Sequence, residues 1–201
     1  MMSPKSRLWT AFVLAGVGII VTACGRTGTG QAAGLPAAAA PPSWESRLLE
    51  ALPALGHRNW IVVADAAFPL QISPGIETLV SNADHFAVLE KVLATLDRSR
   101  HVKPHVWLDK ELDFVPEELS PGADACRGRL AELLRGREAK PVLHADLIAR
   151  LDQAGRAFKI LMIKTTLAVP YTSVFLELDC GYWPPESEAV MRERMKTGEP
   201  R

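Results

Sequence analysis

The feature that most restricts the fold is the alternation of short apolar runs with longer amphipathic segments. One run, Trp-Ile-Val-Val-Ala at residues 60–64, is rich in β-branched residues and bounded by polar ones, which is typical of a buried strand. Similar runs follow it at residues 105–109, 140–144, 157–165 and 173–181. Helical periodicity occupies residues 44–55, 82–99, 123–136 and 145–155. This alternation predicts an α/β sandwich with a mainly parallel sheet, and residues 70–82 are predicted to form a loop around Pro74-Gly75.

The amino terminus has the pattern of an export signal. Lys5 and Arg7 precede an apolar stretch at residues 8–21, which is too short to span a bilayer comfortably. Small residues then lead to Cys24, as in a bacterial lipobox, so we expect cleavage before Cys24 and lipidation of that residue. A simple signal peptide or a short membrane anchor is the alternative. Gly25 rather than Asp follows the cysteine, which in a Gram-negative bacterium favours the outer membrane over the inner one.

The next twenty or so residues are dominated by Gly, Ala, Pro and Thr. Such a segment buries too little apolar surface to offset the entropy of ordering, so it predicts a flexible tether. The expected organisation is a lipoprotein signal peptide at 1–23, the tether at 24–43, a folded domain at 44–183 and a charged tail at 184–201. The expected location is the periplasmic side of the bacterial cell envelope, with the membrane contacted through the lipid anchor alone.

Charge and motif content exclude several classes of function. The chain has 23 basic and 23 acidic residues and no basic patch, so nucleic acid is not an expected partner. It has neither a phosphate-binding glycine loop nor a nucleophile elbow. His101 and His105 are spaced as metal ligands on a helix would be, but Pro104 breaks that helix, so no metal site is predicted. The acidic stretch "LDKELD" at 108–113 predicts a solvated turn, and Cys126 and Cys180 are either a disulfide or two buried thiols.

The remaining proton-transfer and hydrogen-bonding groups are His57, Asp65, His144 and Tyr171. Ligands of parallel α/β sheets bind outside the carboxyl ends of the strands. Asp65 and His144 each stand at such an end, and Tyr171 lies in the loop after another predicted strand. Taken singly, each residue also has an ordinary structural explanation, as a cap or a packed loop side chain.

Three segments together resemble the ribose pyranase / fucose mutarotase family. They are "ALGHRNWIVVADAAFP" at 54–69, "RAFKILMIKTT" at 156–166 and "PYTSVFLELDCGYW" at 170–183, and the resemblance covers about residues 44–183. It implies a three-layer α/β/α fold, ring-shaped homo-oligomers with sites near subunit contacts, and interconversion of monosaccharide anomers or of pyranose and furanose forms. The resemblance implies no cofactor, and a ribose- or fucose-like monosaccharide is the expected partner.

The same resemblance implies roles for individual residues. His57 matches the proton donor, Asp65 the sugar-binding acid, and His144 a sugar-binding residue at a helix start. Tyr171 matches the tyrosine of the closing Tyr-x-Asn motif, in which Ser173 replaces the asparagine as a sugar-binding position. The chemistry agrees, because opening a hemiacetal ring needs acid and base catalysis that an imidazole supplies near neutral pH.

Two points stay open at the level of sequence. His57 and Asp65 are eight residues apart across an extended run, up to about 26 Å. They can share a sugar only if the chain folds back or if they come from neighbouring subunits. The altered Tyr-Thr-Ser also leaves an alternative to the enzyme: a catalytically silent lipoprotein that binds a sugar or a protein on the same fold.

Overall fold

A computed structural model describes residues 42–198. The predicted signal peptide, Cys24 and nearly all of the tether lie outside the described residues. Within residues 42–198, no helix combines the length and the apolar character that crossing a membrane requires.

The core of the fold is one six-stranded sheet, with the strand order β2-β5-β1-β6-β3-β4. β1 pairs in parallel with β5, β5 with β2, and β3 with β4. β6 runs antiparallel to both of its neighbours, β1 and β3. The predicted α/β sandwich with a mainly parallel sheet is therefore confirmed. The strands are β1 (Trp60–Ala64), β2 (Ile76–Val80), β3 (Val102–Asp109), β4 (Ala139–Val142), β5 (Ile160–Lys164) and β6 (Val174–Cys180).

Helices cover both faces of this sheet. The helices are α1 (Trp44–Ala51), α2 (His85–Asp97), α3 (Ala123–Leu133), α4 (His144–Ala154) and α5 (Pro185–Thr197), with single 3-10 turns at Leu52–Ala54 and Lys110–Phe114. Alternate residues of β1 point to opposite faces. Ile61 and Val63 pack with residues of α1, α2 and α3. Trp60 and Val62 pack instead with Leu147 of α4. These two cores make the three layers that the family resemblance implied.

One strand lies where a loop is predicted. β2 falls within the predicted loop 70–82, and it is an edge strand of half-exposed residues that pairs with β5. Its pattern lacks the apolar run of a buried strand, so periodicity could not identify it. The turn predicted at Pro74-Gly75 is present in the structure. A Cβ on Gly75 would lie 2.2 Å from the Phe158 carbonyl oxygen, so only glycine fits at this position.

Other boundaries differ by a few residues. β3 begins at Val102, three residues before its predicted start, and it includes Pro104. β4 ends at Val142, so His144 belongs to α4 and not to the strand. Most of the predicted charged tail forms α5, which buries none of its residues.

Candidate active site

Chemically functional side chains converge at the end of the sheet where most of its strands have their carboxyl termini. We call this end, which lies across the strands, the carboxyl edge. It is formed where β1, β3, β4 and β5 end and where β6 begins, since β6 runs in the opposite direction. The residues at this edge are Asp65 after β1, Asp109 at the end of β3, His144 after β4, Thr165 after β5, and Tyr171 and Ser173 just before β6. The predicted convergence of Asp65, His144 and Tyr171 is therefore present in the fold.

Asp65 is held rigidly by its neighbours. Its Oδ2 accepts a hydrogen bond from the Ser173 hydroxyl at 2.8 Å, and its Oδ1 accepts one from the Ala67 backbone N–H at 2.8 Å. The Asp65 backbone N–H in turn donates to the Ser173 oxygen at 3.1 Å. Asp65 is 9% exposed and Ser173 is 0% exposed, so the serine acts on a ligand through Asp65. A carboxylate has about four acceptor positions, so Asp65 retains lone pairs for further hydrogen bonds.

His144 is fixed through both its ring and its backbone. Its Nδ1 lies 3.0 Å from Oδ1 of Asp109, and its backbone N–H donates to both carboxylate oxygens of Glu111 at 3.0 Å. Glu111 therefore caps the first residue of α4, where a negative charge is favourable. Burial raises the pKa of Asp109 to about 6, and the hydrogen bond from His144 opposes that rise.

Aromatic rings flank the His144 ring. Tyr171 meets it edge to face with the ring centroids 5.6 Å apart, and Phe68 does so at 6.2 Å. Phe68 is buried, whereas Tyr171 is 37% exposed and adopts a backbone φ of 60°. Tyr171 therefore forms a partly exposed aromatic wall beside His144.

Two residues of this edge were missed from the sequence. Asp109 lies in the stretch predicted as a solvated turn, and that prediction is wrong for Asp109, which is 3% exposed. Its place as the last residue of a strand was the available signal, the same one that identified Asp65. Burial of Asp109 depends on β4 and β6 pairing on either side of β3, which periodicity does not reveal.

His85 is the second residue missed. It is fully buried at the start of α2, and its Nδ1 lies 3.0 Å from the Thr165 hydroxyl. That hydroxyl donates to the Ala64 carbonyl, so it accepts from a protonated Nδ1. The His85 Nε2 is buried without a hydrogen-bond partner in the described part of the chain. Burial lowers the His85 pKa to about 4, against a weaker opposing effect of Asp65.

Among the predicted site residues within 42–198, His57 alone is not brought to this edge. It is exposed in the turn before β1, whereas Asp65 follows the end of that strand. The neighbouring Arg58 backbone N–H donates to Leu178, near the far end of β6. β1 is buried and pairs with β5 along its whole length, so the chain does not fold back within it, and the two residues lie beyond opposite ends of the strand. A groove of ≈ 340 Å³ begins at the next residue, Arg58, and His57 is not part of its lining. The lining residues are Arg58, Trp60, Arg150, Gln153, Ala154, Phe158 and Glu177.

His101 and His105 make contacts within the fold, and the two cysteines are not bonded to each other. Nε2 of His101 lies 3.1 Å from the carbonyls of Leu52 and Leu55, and His105 pairs with Asp179. Within residues 42–198, no cluster of three or more His, Cys, Asp or Glu side chains is arranged to hold a metal ion. Cys126 and Cys180 are both free thiols, so they do not form the disulfide; Cys126 is buried and Cys180 is partly exposed.

Comparison with known proteins gives the following relatives. Bacillus subtilis RbsD complexed with D-ribose is 22% identical, over 67% of this chain and 92% of that chain, with a TM-score of 0.46. FucU from Bifidobacterium longum is 17% identical over 67% and 94% of the two chains, with a TM-score of 0.45. The fucose mutarotase from Streptococcus pneumoniae, in complex with L-fucose, is 16% identical over 66% and 91%, with a TM-score of 0.46. No curated protein sequence matches this chain.

The family match covers most of the chain. A family model matches residues 40–181, a range that includes the carboxyl edge, the turn of His57 and all six strands. This match confirms the resemblance found in the sequence motifs. The chain belongs to the RbsD / FucU transport protein family.

Proposed function

We propose that this chain is a monosaccharide mutarotase or pyranase, which interconverts sugar anomers or pyranose and furanose forms by general acid–base catalysis. Family membership supports the reaction class, and a ribose- or fucose-like sugar is the proposed substrate. The observation that carries the proposal is the convergence of Asp65, His144 and Tyr171 at the carboxyl edge, where Asp65 and His144 are hydrogen-bonded to buried side chains and Tyr171 packs against His144. Fixed acceptors beside an aromatic wall are typical of a site that orients a polyhydroxylated ring.

The proposed reaction needs two proton transfers and no covalent intermediate. Ring opening breaks the bond between the anomeric carbon and the ring oxygen, which gains a proton while the anomeric hydroxyl loses one. Closure on either face of the resulting carbonyl gives the other anomer, and closure by a different hydroxyl gives the other ring size. His57 is the proposed proton donor to the ring oxygen. Asp65 would accept hydrogen bonds from sugar hydroxyls, and its contacts with Ser173 and Ala67 already orient the carboxylate.

The separation of His57 from Asp65 leads to the proposed assembly. The two residues lie beyond opposite ends of β1, and a monosaccharide is a single ring that cannot reach both. We therefore propose that His57 of one chain completes the carboxyl edge of a neighbouring chain in a homo-oligomer. Such a head-to-tail contact joins two different surfaces, and it closes into a ring when the rotation between subunits allows.

Exchange NMR on ribose and fucose tests the proposed activity. Saturation of one anomeric proton is transferred to the other anomer at a rate that the full-length chain is expected to increase. His57→Ala and Asp65→Asn should each remove most of this increase. His105→Ala is the matched control, since His105 is an exposed histidine on β3 that pairs with Asp179. Exchange that is no faster with the wild type than with His57→Ala, for every sugar tried, contradicts the proposal.

The alternative is a catalytically silent binding protein. The feature that favours it is Ser173, whose hydroxyl is fully engaged with Asp65 and so offers no direct contact to a sugar. Saturation-transfer difference NMR separates the two functions. Sugar binding that is lost in Asp65→Asn, without any anomer exchange in the wild type, would establish the binding protein.

Attachment to the cell envelope is also proposed. It rests on the amino-terminal sequence, in which a charged segment and a short apolar stretch lead to Cys24. Labelling of the expressed protein with a fatty-acid analogue tests it. We expect the label on the wild type and its loss in Cys24→Ser, and equal labelling of both would exclude this cysteine as the anchor.

A further inference from the structure

Asp109 and His144 form a hydrogen-bonded pair at the carboxyl edge. The Asp109 side chain is 0% exposed and the His144 side chain is 32% exposed, so the pair links the core to the surface of the carboxyl edge. Asp109 Oδ2 is buried without a hydrogen-bond partner among the described residues. The carboxyl group thus directs its one hydrogen bond to the histidine ring.

We infer that Asp109 is a positioning residue for the proposed isomerisation, which holds His144 protonated on Nδ1 so that Nε2 meets the sugar as a hydrogen-bond acceptor. This inference rests on the proposed function and assigns a base to complement the proposed acid, His57. An ionised carboxylate accepts hydrogen bonds and cannot donate them. The 3.0 Å contact of Oδ1 with Nδ1 therefore places the ring proton on Nδ1 and leaves the lone pair on Nε2.

The surroundings of His144 keep the ring in this orientation. Glu111 holds its backbone N–H, and the rings of Phe68 and Tyr171 contact the imidazole edge to face. Asp109 and Glu111 are two residues apart, so one short segment at the end of β3 holds both the ring and the backbone of His144. Preorganisation of this kind removes the need to orient the base during the reaction.

The proton balance of the step is complete. His144 Nε2 takes the proton of the anomeric hydroxyl while His57 gives one to the ring oxygen. The bond from the anomeric carbon to the ring oxygen breaks, and the carbon–oxygen double bond of the open sugar forms. The two residues exchange roles when the ring closes, so neither is consumed and no further reactant is needed.

The charged groups around the pair set its pH dependence. Asp109 faces His144, Glu111 and Asp65, and its pKa of about 6 leaves it ionised at pH 7. Below that value a protonated Asp109 can donate to Nδ1, and the lone pair of Nε2 is then lost to the sugar. We expect the exchange rate to fall on the acid side of pH 6.

Comparison of Asp109→Asn with the wild type tests the inference in the full-length chain. The asparagine amide can donate to Nδ1, which would move the ring proton to Nε2. Nitrogen-15 NMR of the imidazole reads the tautomer directly, with the His144 signals assigned by their absence in His144→Gln. Asp109→Asn is also expected to slow exchange at pH 7 by about 100-fold. The fall in rate below pH 6 should be absent from its residual activity, because the asparagine that replaces Asp109 does not titrate.

Glu111→Gln is the matched control, since Glu111 contacts the backbone of His144 and not its ring. It is expected to keep the wild-type tautomer, because the His144 ring still meets the Asp109 carboxylate. Two results would overturn the inference. One is an Asp109→Asn variant in which both the tautomer and the exchange rate are unchanged. The other is a neutral wild-type His144 protonated on Nε2, which is measured without any variant at Asp109. An absence of exchange in the wild type would refute the proposed function separately, and the tautomer comparison would still decide whether Asp109 places His144.

Discussion

Mixing two inactive variants tests whether neighbouring chains share one sugar. β1 has five residues, Trp60 to Ala64. At about 3.3 Å per residue, these span about 13 Å, and His57 and Asp65 lie beyond its two ends. One chain cannot place both residues against one sugar ring. In each proposed shared site, His57→Ala therefore removes the residue that one chain supplies, and Asp65→Asn changes the residue that its neighbour supplies. Each variant alone is expected to lose at least about 100-fold in exchange rate.

The expected recovery follows from how the halves recombine. In a random equimolar oligomer, a site has an intact His57 with a probability of about one half and an intact Asp65 with the same probability. About a quarter of the sites are therefore complete, and the mixture should recover about 25% of the wild-type rate. The recovery should be largest at equal amounts and fall as either variant dominates.

The assay combines the two variants by unfolding and refolding them together, and then measures anomer exchange by NMR. A control mixture of Asp65→Asn with His105→Ala should retain about half of the wild-type rate, since every chain keeps His57. Size-exclusion chromatography verifies that the mixture has assembled. A refolded mixture of the two inactive variants that is no faster than the sum of its components, while the control reaches its expected rate, refutes the shared site.

Three further predictions concern stability and binding. The pKa of His85 is about 4 in the folded chain and 6.5 in the unfolded chain. The unfolded chain therefore takes up a proton first as the pH drops, and the stability of the fold decreases between these two values. Wild type is therefore expected to lose about 3 kcal/mol more than His85→Leu in urea unfolding between pH 7 and pH 4, and equal losses would contradict the burial of a neutral histidine. Gly75→Ala should destabilise the folded chain by about 2–3 kcal/mol, because the new Cβ meets two backbone carbonyl oxygens. Gly128→Ala, which has open space around it in α3, should be neutral or stabilising, and thermal melting of both variants compares them. Ser173→Ala leaves the buried Asp65 N–H without its partner, so it should cost about 1–3 kcal/mol and raise KM more than it lowers kcat; a change in kcat alone would place Ser173 in the chemical step.

The layered fold was accessible from sequence because its signals are local. Runs such as Trp60–Ala64 are buried on both faces and are apolar throughout, and the amphipathic helices show which residues face the sheet. β2 was missed because an edge strand pairs on one side and keeps half-exposed residues, so its sequence resembles a loop. The antiparallel direction of β6 was likewise invisible, since strand direction depends on how the chain connects and not on composition.

The site residues divide in the same way, into those that a local sequence signal indicates and those whose burial only the fold produces. Sequence reasoning and family resemblance identified Asp65, His144 and Tyr171, because residues that follow strands are placed by the strand itself. Asp109 could not be distinguished from its acidic neighbours, because its burial is produced by the strands on either side. His85 was overlooked for a related reason, since its partner Thr165 lies eighty residues away in the chain.

By itself, the sequence determined the order of most strands and helices, the family motifs and the residues capable of acid–base chemistry. These depend on side-chain periodicity and on short spacings, which the chain carries in every conformation. Tertiary structure decided which of those residues meet. It placed Asp65 beside Ser173 and Asp109 beneath His144, and it left His57 at the opposite edge, because a rigid buried strand sets the distance between its two ends.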